Sequence, residues 1–507
     1  MPATSIEVER HPCLSPGVVE SRCRVVLIVI TAVIVAALLA HLAVLIWAQN
    51  ELTPVESIVA LHSNMLATGQ GLYYDLNHYP FTVSPYGPLF YGAAALLRKI
   101  GLPPFLGPRL LSFGALLAAF GSVFRVLQIL IGNPYARLAG LLLAACTANV
   151  LFWGTAGQTD MLAVAFSLAA FAAFQGWRDH RTPRSLLASG LFVILAVFTK
   201  QTSVAAGTAI GLCLLFEDRK IAVWWIAGVA SVCAALAFGL NALTHGHYLQ
   251  NAIFANINPF SLDKLLQHVR YFALTCGGLL VVVAAGLRYS SRRLAPLYTY
   301  TLLSAAIWLV TAPKIGSDLN YQIETMLLLA VCAACALDRL DYFPKLFRQD
   351  RGWVTLLNIP LLLHVVLNVV LTMNILASRV LMEPQKAAES AALMPYLQPA
   401  GRVLTSQFNA LVHSRGNMEV EPLIYTLLVN AGRVDPAPVL RDLSQRRFQR
   451  VIIGQDIFAS NRPAWDDQET LSLPPAHLEA LRKNYFLAAH VKGAYLEGDY
   501  VYEPRHD

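Results

Sequence analysis

A handful of ionisable and polar residues interrupt a chain that otherwise reads as apolar, and they do so at the ends of its apolar runs. Glu51 and Glu56 follow the first run in "QNELTPVESIVALHSNMLATGQGLYYD", and Asp160 opens a run in "FWGTAGQTDMLAVAF". Lys200 closes one in "FTKQTSV", Arg109 begins another, and Lys314, Asn320, Tyr321 and Glu324 share "PKIGSDLNYQIETM". Ionisable groups at bilayer depth are expensive, so those retained there are site candidates. A carboxylate within hydrogen-bond reach of a hydroxyl can take its proton and make it a nucleophile. Each residue also has a plainer reading. Glu56 can be a solvated charge on an interfacial helix, and Asp160 a first-turn acid favoured by the helix dipole with Thr159 as cap. Lys314 can snorkel to headgroups, and Tyr86 and Tyr91 can belong to an aromatic belt.

The elements that must position these groups follow from composition. Of 507 residues, 56% are hydrophobic and only 14% charged, against about 25% charged in soluble domains; the chain is a polytopic membrane protein. Its run Val25 to Trp47 is too long for a signal-peptide core and reads as a retained span. From Arg379 onward there are 14 basic and 15 acidic residues. The basic excess therefore lies among the spans, where it sets topology and attracts no nucleic acid.

Arg22 and Arg24 put the N-terminus inside. The basic loops "RDHRTPR" (178–184), "EDRK" (217–220), "RYSSRR" (288–293) and "DRLDYFPKLFRQDR" (338–351) also fall inside. The loops holding Asp160, Lys200, His245 and Lys314 then fall outside. This order holds only if the short run 86–97, in "YYDLNHYPFTVSPYGPLFYGAAALL", does not cross. At about a dozen residues it is too short to do so, and it is expected to be re-entrant or juxtamembrane. About 11 spans remain, at 25–48, 104–131, 134–153, 161–177, 185–199, 202–216, 221–243, 271–287, 294–312, 321–337 and 353–377.

The expected division is a cytoplasmic tail (1–24), a transmembrane catalytic domain (25–377) with a first outer loop at 49–103, and an extracytoplasmic α/β domain (378–507). In that last part "GRVLTS", "RFQRVIIG" and "YVYEP" read as strands, and "APVLRDLSQ" and "AHLEALRKNYF" as helices. Of the eight cysteines none lies beyond 335, so no disulfide framework holds the tail. "CAAC" (332–335) sits mid-span and reads as buried small hydrophobes. "HGH" (245–247) lacks a nearby carboxylate pair, which leaves it a weak metal motif.

The order "E…MLATGQGLYYD…YPF…YGPLFY", then "GQTDMLA", "FTKQT" and "PKIGSDLNYQIE", resembles the GT-C superfamily of membrane glycosyltransferases. The likeness is greatest to bacterial members grouped with protein mannosyltransferases and aminoarabinose transferases, and it covers about residues 25–340. It implies a GT-C-like fold and transfer of a sugar from a polyprenyl-phosphate donor to a lipid, glycan or protein acceptor in the cell envelope, on the outer face of a bacterial inner membrane. By the same resemblance Glu56 matches the base in the first outer loop, although relatives often carry an aspartate there, and Asp160 the acidic residue of the second outer loop. A single base and direct displacement would invert the anomeric carbon. Lys314, Lys200 and Arg109 would meet the charge developing on the lipid phosphate, with Tyr86, Asn320 and Tyr321 binding substrate. Some relatives need a divalent ion and others do not; no cofactor or metal is expected here. A lipid-linked glycan transporter or flippase is the alternative, but it would place charges mid-span and show inverted repeats, neither of which is present. A non-catalytic scaffold would readily have lost Glu56 or Asp160.

Overall fold

The computed structural model of the chain describes residues 16–256, 258–347, 353–398, 401–459, 473–493 and 498–506; most of the expected cytoplasmic tail lies outside them. Among the described residues eight helices are long and apolar enough to cross a membrane: Ile28–Trp47, Leu106–Leu130, Thr159–His180, Arg219–Leu243, Leu262–Tyr289, Arg292–Thr311, Leu319–Arg339 and Trp353–Leu397. A bent pair, Pro134–Cys146 and Ala148–Gly154, makes a ninth. Two shorter apolar helices, Pro183–Thr199 and Ala205–Glu217, complete the eleven segments that hydropathy picks out. Pro88–Lys99, only 12 residues long, stands outside that set.

The bend in the pair has a cause. Thr147 leaves helical geometry (φ −66°, ψ 111°), freeing backbone groups that lipid cannot satisfy. Asn368 meets one of them: its Oδ1 accepts from Ala148 N at 3.0 Å while Nδ2 donates to Thr275 O and His364 O, each at 2.9 Å. At the centre of the bundle lies Ile323–Arg339, buried almost throughout. Its alanines let neighbours approach closely, and a Cβ at Gly140 would collide with that of Ala334. Cys332 and Cys335 are free and buried on this helix, packed as small hydrophobes.

Polar contacts sort the loops into two ends. At one, Arg178 bonds Glu217, Arg293 reaches Asp179 and the carbonyl of Ile129, and Arg339 reaches Ser291. At the other, Gln201 donates to the carbonyls of Pro85 and Ala252, Phe260 bridges Lys314, and Glu383 accepts from Gln49. These are the two groups that the Lys/Arg bias separates.

The last span does not stop near 377. Asn358–Leu397 is one helix of 40 residues, about 60 Å at 1.5 Å per residue, or twice the hydrocarbon thickness. Its C-terminal half buries Arg379, Glu383, Lys386, Ser390, Leu393 and Leu397, whose alternating three- and four-residue spacing makes a single face. That face holds the start of the first loop. Glu383 Oε1 accepts from Gln49 N (2.7 Å) and from Asn50 N (3.1 Å) and Nδ2 (3.0 Å), and Lys386 Nζ donates to Glu51 O at 2.5 Å.

Beyond it a four-stranded sheet is built from β1 (Val403–Thr405), β2 (Arg450–Ile453), β3 (Tyr485–Val491) and β4 (Asp499–Pro504), in the order β1-β2-β4-β3. The β1–β2 pair is parallel and the others antiparallel. Three strands and the helices Ala437–Ser444 and Pro475–Asn484 fall where the patterns place them; β3 was not expected.

This region is stitched to the first outer loop by a bridge between Phe81 and Val420 and by a buried chain of polar groups. Neutral His62 donates from Nε2 to Thr82 Oγ1 at 2.9 Å, and Thr82 donates to Glu421 Oε2 at 3.0 Å. Burial pushes the His62 imidazole down to about 3 and the Glu421 carboxyl from 4.5 up to about 7. An acid raised in the folded state stabilises below its unfolded pKa, and that contribution is lost as pH rises through the folded one. The joint should thus loosen between about pH 4.5 and 7. Hydrogen exchange at Phe81 N and Glu421 N, which close the bridge, should be faster at pH 8 than at pH 5 after correction for intrinsic rates. Glu421→Gln should remove the difference.

Candidate functional site

Two polar clusters form where the loops of the second group meet. The first is a cleft lined by Asp160, Val164, Lys200, Thr202, Ser203, Ser304, Ile307, Trp308, Thr311, Asn320, Tyr321 and Glu324. Four of its walls have simple origins. Asp160 sits in the first turn of Thr159–His180, where the helix dipole favours an acid. Lys200 is the residue at which Pro183–Thr199 ends, with extended backbone (φ −146°, ψ 114°). Asn320 and Tyr321 lie on a single 3-10 turn, Leu319–Gln322, that leads into Ile323–Arg339 and Glu324. Helix Ala295–Thr311 supplies the fourth wall.

Lys200 Nζ pairs with Asp160 Oδ1 at 2.5 Å, and both side chains are about 95% shielded from solvent. The ammonium also lies 3.9 Å from the ring centre of Tyr321 and 5.2 Å from that of Tyr86. Burial alone would lower the Lys200 pKa. The Asp160 carboxylate and the two facing tyrosines reverse that and hold it above its ordinary value, so Lys200 remains a cation. Tyr86 reaches this position because the backbone at Gly87 runs so close to the Phe198 carbonyl that a Cβ would overlap it. The short helix Pro88–Lys99 therefore starts against the end of Pro183–Thr199 and aims an aromatic at its terminal lysine. Lys314 lies nearby, half-buried, its Nζ 3.5 Å from Asn256 O; burial and the neighbouring Lys200 lower its pKa.

The second cluster is the ion pair of Glu56 and Arg109. The carboxylate accepts from Arg109 Nη2 at 2.9 Å and Nε at 3.2 Å, from Leu52 N at 2.6 Å and from Gly157 N at 2.5 Å. Arg109 in turn donates to Ala48 O at 2.6 Å and to Asn50 O. Burial would raise the Glu56 carboxyl, but Arg109 and the two amides outweigh it and hold it below the usual carboxylate range. Glu56, expected as a base, and Arg109, expected on the donor phosphate, thus hold each other, and neither lines the cleft. What the pair does reach is Gly157, at the turn that leads into Asp160. Glu51 lies beside this cluster, where burial, resisted by Lys386 and Ser57, raises it from 4.5 to about 7.

Of the expected residues, then, Asp160, Lys200, Asn320 and Tyr321 line one cleft, Tyr86 and Lys314 flank it, and Glu56 and Arg109 brace the turn behind it. Trp308 and Ser304 were missed: they read as ordinary span residues, and only the four-residue spacing between them hints at a shared face. Among the described residues no three His, Cys, Asp or Glu side chains gather into a metal-binding group, and His245 and His247 belong to none.

A family model for dolichyl-phosphate-mannose-protein mannosyltransferases matches residues 86–241, from Tyr86 through Asp160 and Lys200. No curated protein matches the chain by sequence. Among solved structures, ArnT from Cupriavidus metallidurans bound to undecaprenyl phosphate aligns with a TM-score of 0.65 at 13% identity, covering 93% of this chain and 97% of that one. The archaeal oligosaccharyltransferase AglB from Archaeoglobus fulgidus, in complex with an inhibitory peptide and a dolichol-phosphate, aligns with a TM-score of 0.51 at 13% identity, covering 83% and 69%. At such identities the likeness is one of fold.

Proposed function

We propose that the chain is a membrane glycosyltransferase of the GT-C superfamily, and that the cleft moves a sugar from a polyprenyl-phosphate carrier to the hydroxyl of a lipid, glycan or protein acceptor. The observation that carries this reading is the Lys200–Asp160 pair, a buried cation and carboxylate side by side on a cleft with apolar and aromatic walls. The carrier phosphate enters as an anion and competes with Asp160 for Lys200. Once displaced, the carboxylate is free to take the proton of the acceptor hydroxyl as its oxygen attacks the anomeric carbon. The bond from that carbon to the phosphate oxygen breaks, and a second negative charge develops on the departing phosphate beside Lys200, with Lys314 within electrostatic reach. Attack opposite the leaving group inverts the anomeric carbon. Val164 and Ile307 offer the lipid its first apolar contacts.

In this reading Glu56 and Arg109 position the Gly157 turn, and hence Asp160, without touching substrate. The end of the molecule holding the cleft, the first loop and the sheet faces away from the cytoplasm of a bacterial cell, as the arginine-rich opposite end requires. The test is turnover by the purified protein in nanodiscs with a panel of polyprenyl-phosphate sugars, following polyprenyl phosphate release. Release with at least one donor is expected. No release with any, together with passage of intact lipid-linked glycan across the bilayer, would overturn the reading in favour of transport.

A further inference from the structure

The cleft wall facing Asp160 carries polar groups that the transfer step leaves unused. Ser304, Ile307, Trp308 and Thr311 line it at intervals of three, four and seven residues, one stripe of a helix. Trp308 is 96% shielded, yet its Nε1–H has no partner among the described residues. Asn320, 92% shielded, has an Oδ1 in the same condition. One turn further on, Glu324 is anchored at both oxygens by hydroxyls: Tyr300 Oη donates to Oε1 at 2.5 Å and Ser304 Oγ to Oε2 at 3.4 Å. No cation pairs with it among the described residues, and each oxygen keeps a free lone pair.

A buried donor or acceptor without a partner costs about 1–3 kcal/mol, and native interiors hold few of them. Here an orphaned donor and an orphaned acceptor border the same cleft as a pre-oriented carboxylate. A ligand that donates three hydroxyls and also accepts one hydrogen bond would satisfy all of them. A sugar ring does so: two of its hydroxyls reach the Glu324 oxygens, a third donates to Asn320 Oδ1, and a ring or hydroxyl oxygen accepts from Trp308. A ligand that carries only ammonium donors and no oxygen would leave the Trp308 N–H unmet.

From this geometry we infer that Trp308, Asn320 and Glu324 form the subsite that reads the hydroxyls of a neutral sugar on the carrier. The inference rests on the proposed transferase reading and assigns the donor's sugar to this wall, with its phosphate at Lys200. The subsite sets which sugar is used, whereas the Lys200–Asp160 pair sets whether transfer occurs.

The experiment measures equilibrium binding to the full chain in nanodiscs. The probes are bare undecaprenyl phosphate, its mannosyl, glucosyl and galactosyl phosphodiesters, and one aminosugar phosphodiester. Wild type should hold at least one neutral hexosyl carrier about tenfold or more tighter than the bare carrier, which corresponds to about 1.4 kcal/mol. Glu324→Gln and Trp308→Phe should each erase most of that preference while leaving bare-carrier affinity within about twofold, because a site built to pair substrate hydroxyls discriminates through those pairs. Retained bare-carrier binding also shows that each variant is folded. Preference that survives both substitutions would overturn the subsite with the transferase reading intact, and so would preference for the aminosugar alone. Failure of wild type to bind even the bare carrier would instead sink the transferase reading.

Discussion

Asp160→Asn should lower turnover about a thousandfold while leaving donor binding intact, or slightly tighter. The magnitude is that of a lost general base, about 10²–10⁴. The direction of the binding change separates this from a folding defect: in the proposed mechanism the carboxylate and the carrier phosphate compete for the same ammonium, 2.5 Å from Asp160 Oδ1, so removing one anion leaves Lys200 to the other. Lys200→Met should lose both turnover and affinity, because it removes the phosphate's partner and leaves Asp160 buried without its counter-charge. Single-turnover kinetics in nanodiscs, with bare-carrier affinity measured alongside, check both. If Asp160→Asn retains turnover to within tenfold, the base lies elsewhere, and Glu324 is the other carboxylate on that cleft.

Arg109→Met should be the most destabilising single substitution at this end of the molecule, costing about 3–5 kcal/mol for the buried charge left behind on Glu56. It also strands the carbonyls of Ala48 and Asn50, which Arg109 now satisfies, at about 1–3 kcal/mol each. Replacing both partners, as Glu56→Gln with Arg109→Met, should recover part of the loss, since no uncompensated charge then remains. Thermal unfolding followed by size-exclusion chromatography would read the order wild type, double variant, single variant. The pH dependence has the opposite sign to that at Glu421. The Glu56 carboxyl is held below its ordinary value, so its contribution is present above the usual carboxylate pKa and lost as pH falls through the folded one. Acid should weaken wild type through this pair, and the double variant should lack that component. A double variant no more stable than the single would count against the pair as the brace of the loop.

How far the sequence alone reached follows from what kind of signal each residue carries. Asp160, Lys200, Asn320 and Tyr321 were legible because polar groups at the end of an apolar run are costly wherever the chain folds. The eleven apolar segments were legible for the complementary reason: a helix in lipid must be long and apolar regardless of its neighbours. Partnership was not legible. Glu56 and Arg109 are 53 residues apart, and nothing in either local stretch states that each carboxylate oxygen is already taken. The subsite on Ala295–Thr311 was hidden because a tryptophan in a span looks the same whether its N–H meets lipid headgroups or a cleft. Strand β3 was hidden because its first residues continue the helical pattern of Pro475–Asn484; pairing with β4 decides the conformation, as tertiary context does for short segments. The helix that runs through 377 was cut short for a related reason. Glu383, Lys386 and Glu389 look like the start of a soluble region, and only the three- and four-residue spacing of Glu383, Lys386, Ser390, Leu393 and Leu397 on one face gives the continuation away.

That helix also imposes an order on assembly. Gln49 leaves the ribosome 334 residues before Glu383, the side chain that holds its amide. At about 5–20 residues per second, on the order of half a minute passes in which the first loop exists without the carboxylate that fixes its backbone. Every chain that stops between Lys200 and Asn358–Leu397, by proteolysis or premature termination, carries Asp160 and Lys200 but lacks this clamp on the loop beside them. Completion of the first loop is therefore tied to completion of synthesis, and an unfinished copy in the membrane presents Asp160 and Lys200 beside a loop whose backbone is not yet fixed.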